Sequence, residues 1–311
     1  MVGSTLILFA LGGWLIINSQ IVIDWWKLRG YTPTSQIAKL SETASFSSEG
    51  QKLFYVHDPA LLAKADFKGK CTVAEKTIVL GCYLSKEKIY VLDVDDARLE
   101  GVEQVTAAHE MLHAVYDRLS DKEKSALNTK LVTFYETLED ERLAKTIENY
   151  RNRDPSVVPN ELHSILGTEV ANLPSELEQH YSKYFLDRQV VVKLSEAYEA
   201  EFARREEQVE VYDAQLSDLS ASIDAQESQI TFLGEALARE QKNLQSFKNN
   251  PQAYNASVSG FNNQVESYNE QLGDLKRDIE TYNSIVKKRN VIASEEQDLV
   301  NAIDTRTIEL E

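Results

Sequence analysis

Five consecutive residues, His109-Glu110-Met111-Leu112-His113, form an HExxH sequence that could hold a metal ion. On an α-helix, residues four apart lie on one face about one turn apart, so both imidazoles can reach a single ion. Glu110 projects from a neighbouring direction, from which its carboxylate can act on a water molecule. Metal-assisted hydrolysis needs nitrogen ligands for the ion, an open position for water and an adjacent general base. This sequence can supply two such ligands and the base. The alternative is an ordinary amphipathic helix, but five histidines in 311 residues make a chance match uncommon.

A tight zinc site needs a third protein ligand, and the segment from Pro159 to Glu169 supplies three candidates. Pro159 suits the first turn of a helix, which puts Glu161 and His163 in its opening turns. Glu161 is the preferred ligand and His163 the alternative, which would give a site of three histidines. Glu169 is the third candidate, or it orients a histidine nitrogen from behind the site.

These positions resemble those of the gluzincin metallopeptidases, in which a glutamate on a later helix, often in an Asn-Glu pair, completes the site of an HExxH helix. Asn160-Glu161 matches that pair, about fifty residues after His113. The resemblance covers these motif positions and the order of the helices, and it departs from the family where Ile165 replaces a frequent acidic residue. It implies a Zn²⁺ cofactor and a peptide or protein substrate. His163 or Tyr150 would then donate to the substrate oxyanion, as a histidine or tyrosine does in related enzymes.

The elements that must position these residues can be predicted from hydrophobic periodicity and capping residues. A helix over about 102–118 carries the HExxH sequence, with its apolar stripe beside the two histidines. Ser120-Asp121-Lys122-Glu123 is a capping box that predicts a second helix to about Leu138, and a third follows over 140–152. A small sheet is expected before the motif helix, with strands at Gln51–Val56, Lys76–Leu80 and Lys88–Val94.

The last third of the sequence predicts two long helices. Apolar residues recur every seven positions from Phe202 to Leu244, and the pattern resumes between Phe261 and Val286. Residues 249–260 contain Pro251 and Gly260 and interrupt it. The two segments therefore predict an antiparallel coiled-coil hairpin, which could pack on itself, mediate homo-oligomers, position a substrate or act as a spacer from the membrane.

The first 23 residues contain no charged side chain. The span from Thr5 to Ile23 is long enough to cross a bilayer as a helix, with Trp25 and Trp26 as an interfacial belt. A cleaved signal peptide is the alternative, but no basic segment precedes the apolar run. The sequence therefore predicts a single-pass membrane anchor.

The two cysteines, Cys71 and Cys82, bear on the compartment. A disulfide between them would close a short loop and imply an oxidising environment, whereas two buried thiols are the alternative. Lys27 and Arg29 follow the apolar span and would hold the next domain in the cytoplasm by the positive-inside rule. The two indications conflict, and we favour an extracytoplasmic catalytic domain.

The formal net charge of −17 argues against nucleic acid as a partner, because phosphate binding needs a basic surface. We expect a mainly helical α+β fold with a transmembrane anchor at 1–29, a zincin-like domain at 30–189 and a helical hairpin at 190–311. The predicted function is that of a membrane-anchored zinc metallopeptidase in which Glu110 activates a zinc-bound water. A non-catalytic, membrane-anchored coiled-coil scaffold with a structural or vestigial zinc site is the alternative from another class.

Overall fold

A computed structural model of the chain describes residues 19–71, 78–85 and 87–306. These residues form a mainly helical structure with one small sheet. The helices are α1 (Ser19–Leu28), α2 (Ser35–Thr43), α3 (Ser48–Val56), α4 (Lys64–Lys68), α5 (Val102–Asp117), α6 (Asp121–Tyr135), α7 (Glu141–Arg153), α8 (Val158–Glu169), α9 (Ser175–Tyr181), α10 (Arg188–Ser246) and α11 (Pro251–Ile303). The strands are β1 (Ala60–Leu62), β2 (Gly81–Leu84) and β3 (Lys88–Leu92), and a 3-10 turn spans Ala97–Leu99.

The sheet has the order β1-β3-β2, so β2 lies at an edge. β1 pairs with β3 in parallel, and β2 pairs with β3 antiparallel, with Cys82 opposite Tyr90. A disulfide joins Cys71 to Cys82, which confirms the predicted pairing of the two cysteines. It ties the segment after α4 to the edge strand.

The motif helix α5 is the centre of the core. Met111, Leu112 and Ala114 on this helix are completely buried, and α8 packs along it. The two helices approach closely because Gly167 on α8 has no side chain. A Cβ there would lie 2.4 Å from Leu112 Cδ1, well inside contact distance. The helix predicted over 102–118 is confirmed, and its neighbour carries Glu161.

A buried arginine caps the end of α8. The Arg188 guanidinium donates to the carbonyls of Val170 at 2.7 Å and Ala171 at 2.9 Å. The same group forms an ion pair with Glu178. The last carbonyls of a helix have no partner within it, and the guanidinium also reaches those of Leu166 at 3.4 Å and Gly167 at 3.5 Å, so Arg188 holds the C-terminal end of α8.

The predicted N-terminal transmembrane helix, and with it that part of the predicted fold class, is corrected by the structure. No helix among the described residues is long and apolar enough to cross a membrane. Residues 1–18 of the predicted anchor lie outside the described residues. The described part is α1, whose ten residues rise only ~15 Å against a hydrocarbon core of ~30 Å. α1 also buries Asp24, which pairs with Arg118 at 2.6 Å.

Two of the three predicted strands are also corrected. Residues 51–56 belong to helix α3, because the Ser47 side chain caps its first turn by accepting from the Gly50 N–H, and Leu53 and Phe54 bury one helical face. The strand predicted at 76–80 falls partly outside the described residues. Its described part, residues 78–80, is not a strand, and β2 begins after it at Gly81. The third strand and the capping box at Ser120 and Glu123 are confirmed.

The chain divides into two compact units. The first comprises Met1–Glu201 together with Leu299–Glu311, and the second comprises Phe202–Asp298. In the second unit, called the helical pair below, α10 and α11 run antiparallel. Asp213 pairs with Arg289, and Gln226 donates to Asp278 at 2.6 Å. The interruption predicted over 249–260 is shorter than expected, because Pro251 begins α11, where a proline suits the first turn.

Candidate metal centre

Three of the predicted site residues lie together between α5 and α8. Their ligand atoms, one each from His109, His113 and Glu161, lie within 4.8 Å of one another. Glu161 Oε2 is 3.5 Å from His109 Nε2 and 3.8 Å from His113 Nε2. Ligand atoms around one tetrahedral zinc ion lie roughly 3.3 Å apart, so the separations suit a single ion.

The Glu161 carboxylate has the environment of a metal ligand. Its Oε2 atom is buried and accepts no hydrogen bond. Burial by itself would raise the pKa of Glu161, but the interactions with His109 and His113 outweigh it and hold the pKa below its usual value. A buried anionic oxygen without a donor is costly unless a cation occupies the position in front of it, so the residues fit a metal ion.

His113 is oriented from behind by α8. Its Nδ1 atom lies 3.0 Å from Asn160 Oδ1 and 3.2 Å from Ser164 Oγ. When Nδ1–H donates to the Asn160 carbonyl oxygen, Nε2 is left with its lone pair facing Glu161. A partner of this kind fixes the tautomer and the ring orientation of a metal-binding histidine.

Glu110, on the same helix as the two histidines, is buried and 6% exposed. Burial, reinforced by the charge of Glu161, raises the pKa of Glu110 to about 7, while His113 and the backbone N–H of Tyr83 act in the opposite direction. The carboxylate fits here because β2 has a glycine beside it. A Cβ at Gly81 would lie 2.7 Å from Glu110 Oε1. A group with a pKa near neutrality can accept and release a proton.

Tyr150, on α7, lies beside the same carboxylates. Burial raises the pKa of its hydroxyl far above the usual value, and the charges of Glu161 and Glu110 raise it further. The hydroxyl therefore stays protonated and remains a hydrogen-bond donor at the site.

Comparison with known proteins adds no family to these observations. No family model, curated protein or solved structure matches the chain. The centre is therefore interpreted from its own geometry.

The structure places the other two candidate ligands elsewhere. His163 is completely buried, and its Nε2 lies 2.8 Å from His180 Nε2. Glu169 forms an ion pair with Arg142 at 2.9 Å. Neither belongs to the group of ligand atoms that the described residues bring together.

Sequence reasoning missed the supporting residues of the site. In the sequence Asn160 stands out only as half of an Asn-Glu pair, although a polar residue beside a ligand is a usual partner for a histidine nitrogen. Ser164, one turn further along α8, could have been found by the same helical spacing. Gly81 and the Tyr83 backbone carry no signal in the sequence, because they reach Glu110 only through the fold.

Proposed function

We propose that this protein is a zinc-dependent metallopeptidase that holds its ion with His109, His113 and Glu161. The observation that carries the proposal is the convergence of three ligand atoms within 4.8 Å, one of them a buried carboxylate oxygen without a donor. A zinc ion bound by these side chains would polarise the scissile carbonyl and lower the pKa of a coordinated water molecule.

Glu110 is the general base in this scheme. It takes a proton from the attacking water and returns it to the amine that leaves, which requires a carboxylate whose pKa is near the working pH. In the metal-free protein burial raises the pKa of Glu110 to about 7, so its carboxyl holds a proton more readily than an exposed glutamate. The N–H of Tyr83 holds the carboxylate in place while it carries the proton.

Tyr150 supplies the hydrogen bond to the developing oxyanion. Its hydroxyl stays protonated and hydrogen-bonds to Glu161, the proposed zinc ligand, so it lies within the site. A donor aimed at the oxyanion stabilises the transition state more than the bound substrate, and so increases the rate.

The disulfide between Cys71 and Cys82 supports an oxidising, extracytoplasmic compartment for this activity. It closes a short loop at the edge strand that lies beside Glu110. Reduction of the bond would release that loop from β2.

The test is the variant Glu110→Gln, which removes the proton acceptor and keeps the shape of the side chain. We expect it to bind zinc as the wild type does and to lose peptide cleavage by a factor on the order of 10³ or more. Zinc content by elemental mass spectrometry and cleavage of a mixed peptide library measure the two properties separately.

Glu103→Gln is the matched control, because it makes the same change on the same helix. Glu103 accepts from the Val94 N–H at 2.9 Å, and an amide oxygen can still accept that bond. Cleavage by Glu110→Gln at the wild-type rate would contradict the assignment. It would favour the alternative in which the helical pair is the working part of a scaffold.

A further inference from the structure

Helix α1 presents its polar side to the protein and its apolar side to solvent. Among the described residues of this helix, Ser19–Leu28, only Asp24 is buried. Trp25 and Trp26 are 60% and 73% exposed, and Val22 is exposed as well. Residues three and four apart share one side of a helix, so Val22, Trp25 and Trp26 form one surface, called the α1 apolar face below. A helix at the surface of a globular protein normally has the opposite arrangement.

Asp24 fixes this orientation through charged hydrogen bonds. Arg118, at the end of α5, donates to its two carboxylate oxygens at 2.6 and 2.9 Å, and Gln20 donates at 3.0 Å. Burial by itself would raise the pKa of Asp24, but the bonds from Arg118 and Gln20 outweigh it and hold the pKa below its usual value. A pair of parallel bonds sets direction as well as distance. The ion pair therefore holds α1 against the motif helix with the α1 apolar face outward.

The α1 apolar face is continuous with further apolar side chains. Ile21 and Ile23 are exposed on its two sides. The sequence before them has the same character, because residues 1–23 contain no charged side chain. Single exposed apolar residues are normal in a soluble protein, but a contiguous patch marks a surface that binds a protein or a membrane.

The aromatic residues of this face favour a lipid bilayer. Tryptophan is enriched where lipid head groups meet acyl chains, because its ring is apolar and its N–H can be hydrated. Lys27 and Arg29 follow the two tryptophans, and the Arg29 guanidinium lies 5.4 Å from the centre of the Trp25 ring. Long cationic side chains beside an apolar helix face can reach the phosphates of a bilayer while the face itself enters it.

The charge around α1 distinguishes a bilayer from a second copy of this chain. Residues 1–41 contain three cationic side chains and one anionic side chain, Asp24, although the whole chain has a net charge of −17. A symmetric dimer through this face would place Lys27 and Arg29 opposite the same cations of the other copy. Anionic head groups would attract them instead, and the acidic residues beyond a Debye length of about 8 Å act only weakly.

We propose that α1 lies in the surface of an anionic phospholipid bilayer. The α1 apolar face enters about 5–10 Å into the boundary between head groups and acyl chains, and Lys27 and Arg29 bind the phosphates. α1 does not cross the bilayer in this arrangement, because Asp24 stays paired with Arg118 on the protein side. The ion pair then sets the orientation of α5, and of the metal centre, towards the bilayer. This inference does not depend on the peptidase function.

The first experiment measures the depth of the two tryptophans. The chain has three tryptophans, so Trp14→Phe in the full chain leaves Trp25 and Trp26 as its only indole fluorophores. This variant is mixed with vesicles of phosphatidylcholine and phosphatidylglycerol. Phospholipids brominated near the head group or near the end of the acyl chain quench the rings according to depth. We expect emission at shorter wavelength and quenching at least about twofold stronger by the shallow bromine.

The second experiment removes the two cations. Lys27→Gln/Arg29→Gln should lower the affinity for the mixed vesicles on the order of tenfold and leave the affinity for pure phosphatidylcholine unchanged. The matched control is Lys287→Gln/Lys288→Gln, which removes two neighbouring exposed cations of the helical pair. This control should bind both kinds of vesicle as the wild type does. Fluorescence titration with vesicles measures each affinity.

Four results would overturn the inference. Failure to bind the mixed vesicles is the first, and unquenched tryptophans on vesicles that carry the protein are the second. Equal quenching at both depths is the third, because a helix in the bilayer surface keeps both rings shallow. A shift of emission that depends on protein concentration and needs no lipid is the fourth, and it would assign the face to a second copy. None of these results concerns zinc content or cleavage, so the proposed function is tested separately.

Discussion

The two compact units of this chain differ in the polar side chains that their described residues bury, because the first unit buries several and the helical pair buries Arg205. In the unit that contains α5 and α8, Glu110, His113 and His163 lie inside among completely buried apolar residues such as Leu112. In the helical pair the most buried apolar side chains, such as Ile230 and Leu244, form a narrow seam, and Phe232 remains 60% exposed. Buried polar groups cost stability unless they are paired, and they gain the altered pKa values that chemistry needs.

Because of this difference, the two units should tolerate substitutions to different degrees. The first unit depends on polar groups whose partners come from distant parts of the sequence. The helical pair repeats one short pattern, and its ion pairs of Arg239, Arg277 and Arg289 lie in solvent, where such pairs contribute little. Its buried Arg205, which pairs with Glu295, is the exception. Substitutions of the same type should therefore have unequal effects in the two units.

The largest effect is expected at Arg188. Arg188→Met leaves the Glu178 carboxylate and the carbonyls at the end of α8 without their partner, in a position where the arginine is 5% exposed. Removing one member of a buried ion pair should lower the free energy of unfolding by about 3 kcal/mol. Chemical denaturation followed by circular dichroism measures it.

Arg289→Met is the counterpart in the helical pair. Arg289 forms an ion pair with Asp213 at 2.9 Å on the surface, so its loss should leave the denaturation midpoint unchanged within error. Equal losses of stability in the two variants would remove the contrast between the units.

A smaller effect is expected from Tyr150→Phe. The loss of a single donor to the oxyanion should reduce kcat roughly 100-fold, about 2.7 kcal/mol, with little change in zinc content. Tyr212→Phe makes the same change in the helical pair and should leave cleavage unaltered. Unchanged kcat in Tyr150→Phe would assign Tyr150 a structural role only.

The smallest effect concerns pH. Burial, with the charges of Lys183 and Lys130, lowers the pKa of His180 to about 4. The unfolded chain therefore binds a proton that the folded chain does not, so stability is full above about pH 6.5 and is lost as the pH falls towards 4. The loss should be roughly 2 kcal/mol, allowing for the partial exposure of the ring.

His180→Gln removes this titration and can still hydrogen-bond to His163 Nε2. The slope of stability against pH between 6.5 and 4 should be smaller in this variant than in the wild type, as measured by urea denaturation at each pH. A wild-type slope in His180→Gln would mean that another group carries the effect.

The same contrast explains how far the sequence predicts this structure. The helical pair and α5 follow from periodicity, and the ligands His109 and His113 follow from helical spacing, because all of this information is local. The sequence predicts residues 51–56 as a strand, but the Ser47 cap and the burial of Phe54 favour a helix. The pairing of His163 with His180, which removes His163 from the metal centre, depends on α9 folding back against α8 and has no local signature.

The central claim is that Glu161 completes a zinc site with His109 and His113. Its most direct test is the zinc content of the purified wild type, Glu161→Ala and His163→Ala, measured by elemental mass spectrometry after dialysis against buffered zinc. We predict about one zinc ion per chain in the wild type and in His163→Ala, and a loss of at least about tenfold in affinity in Glu161→Ala. Full zinc content in Glu161→Ala with an empty site in a folded His163→Ala would contradict the claim.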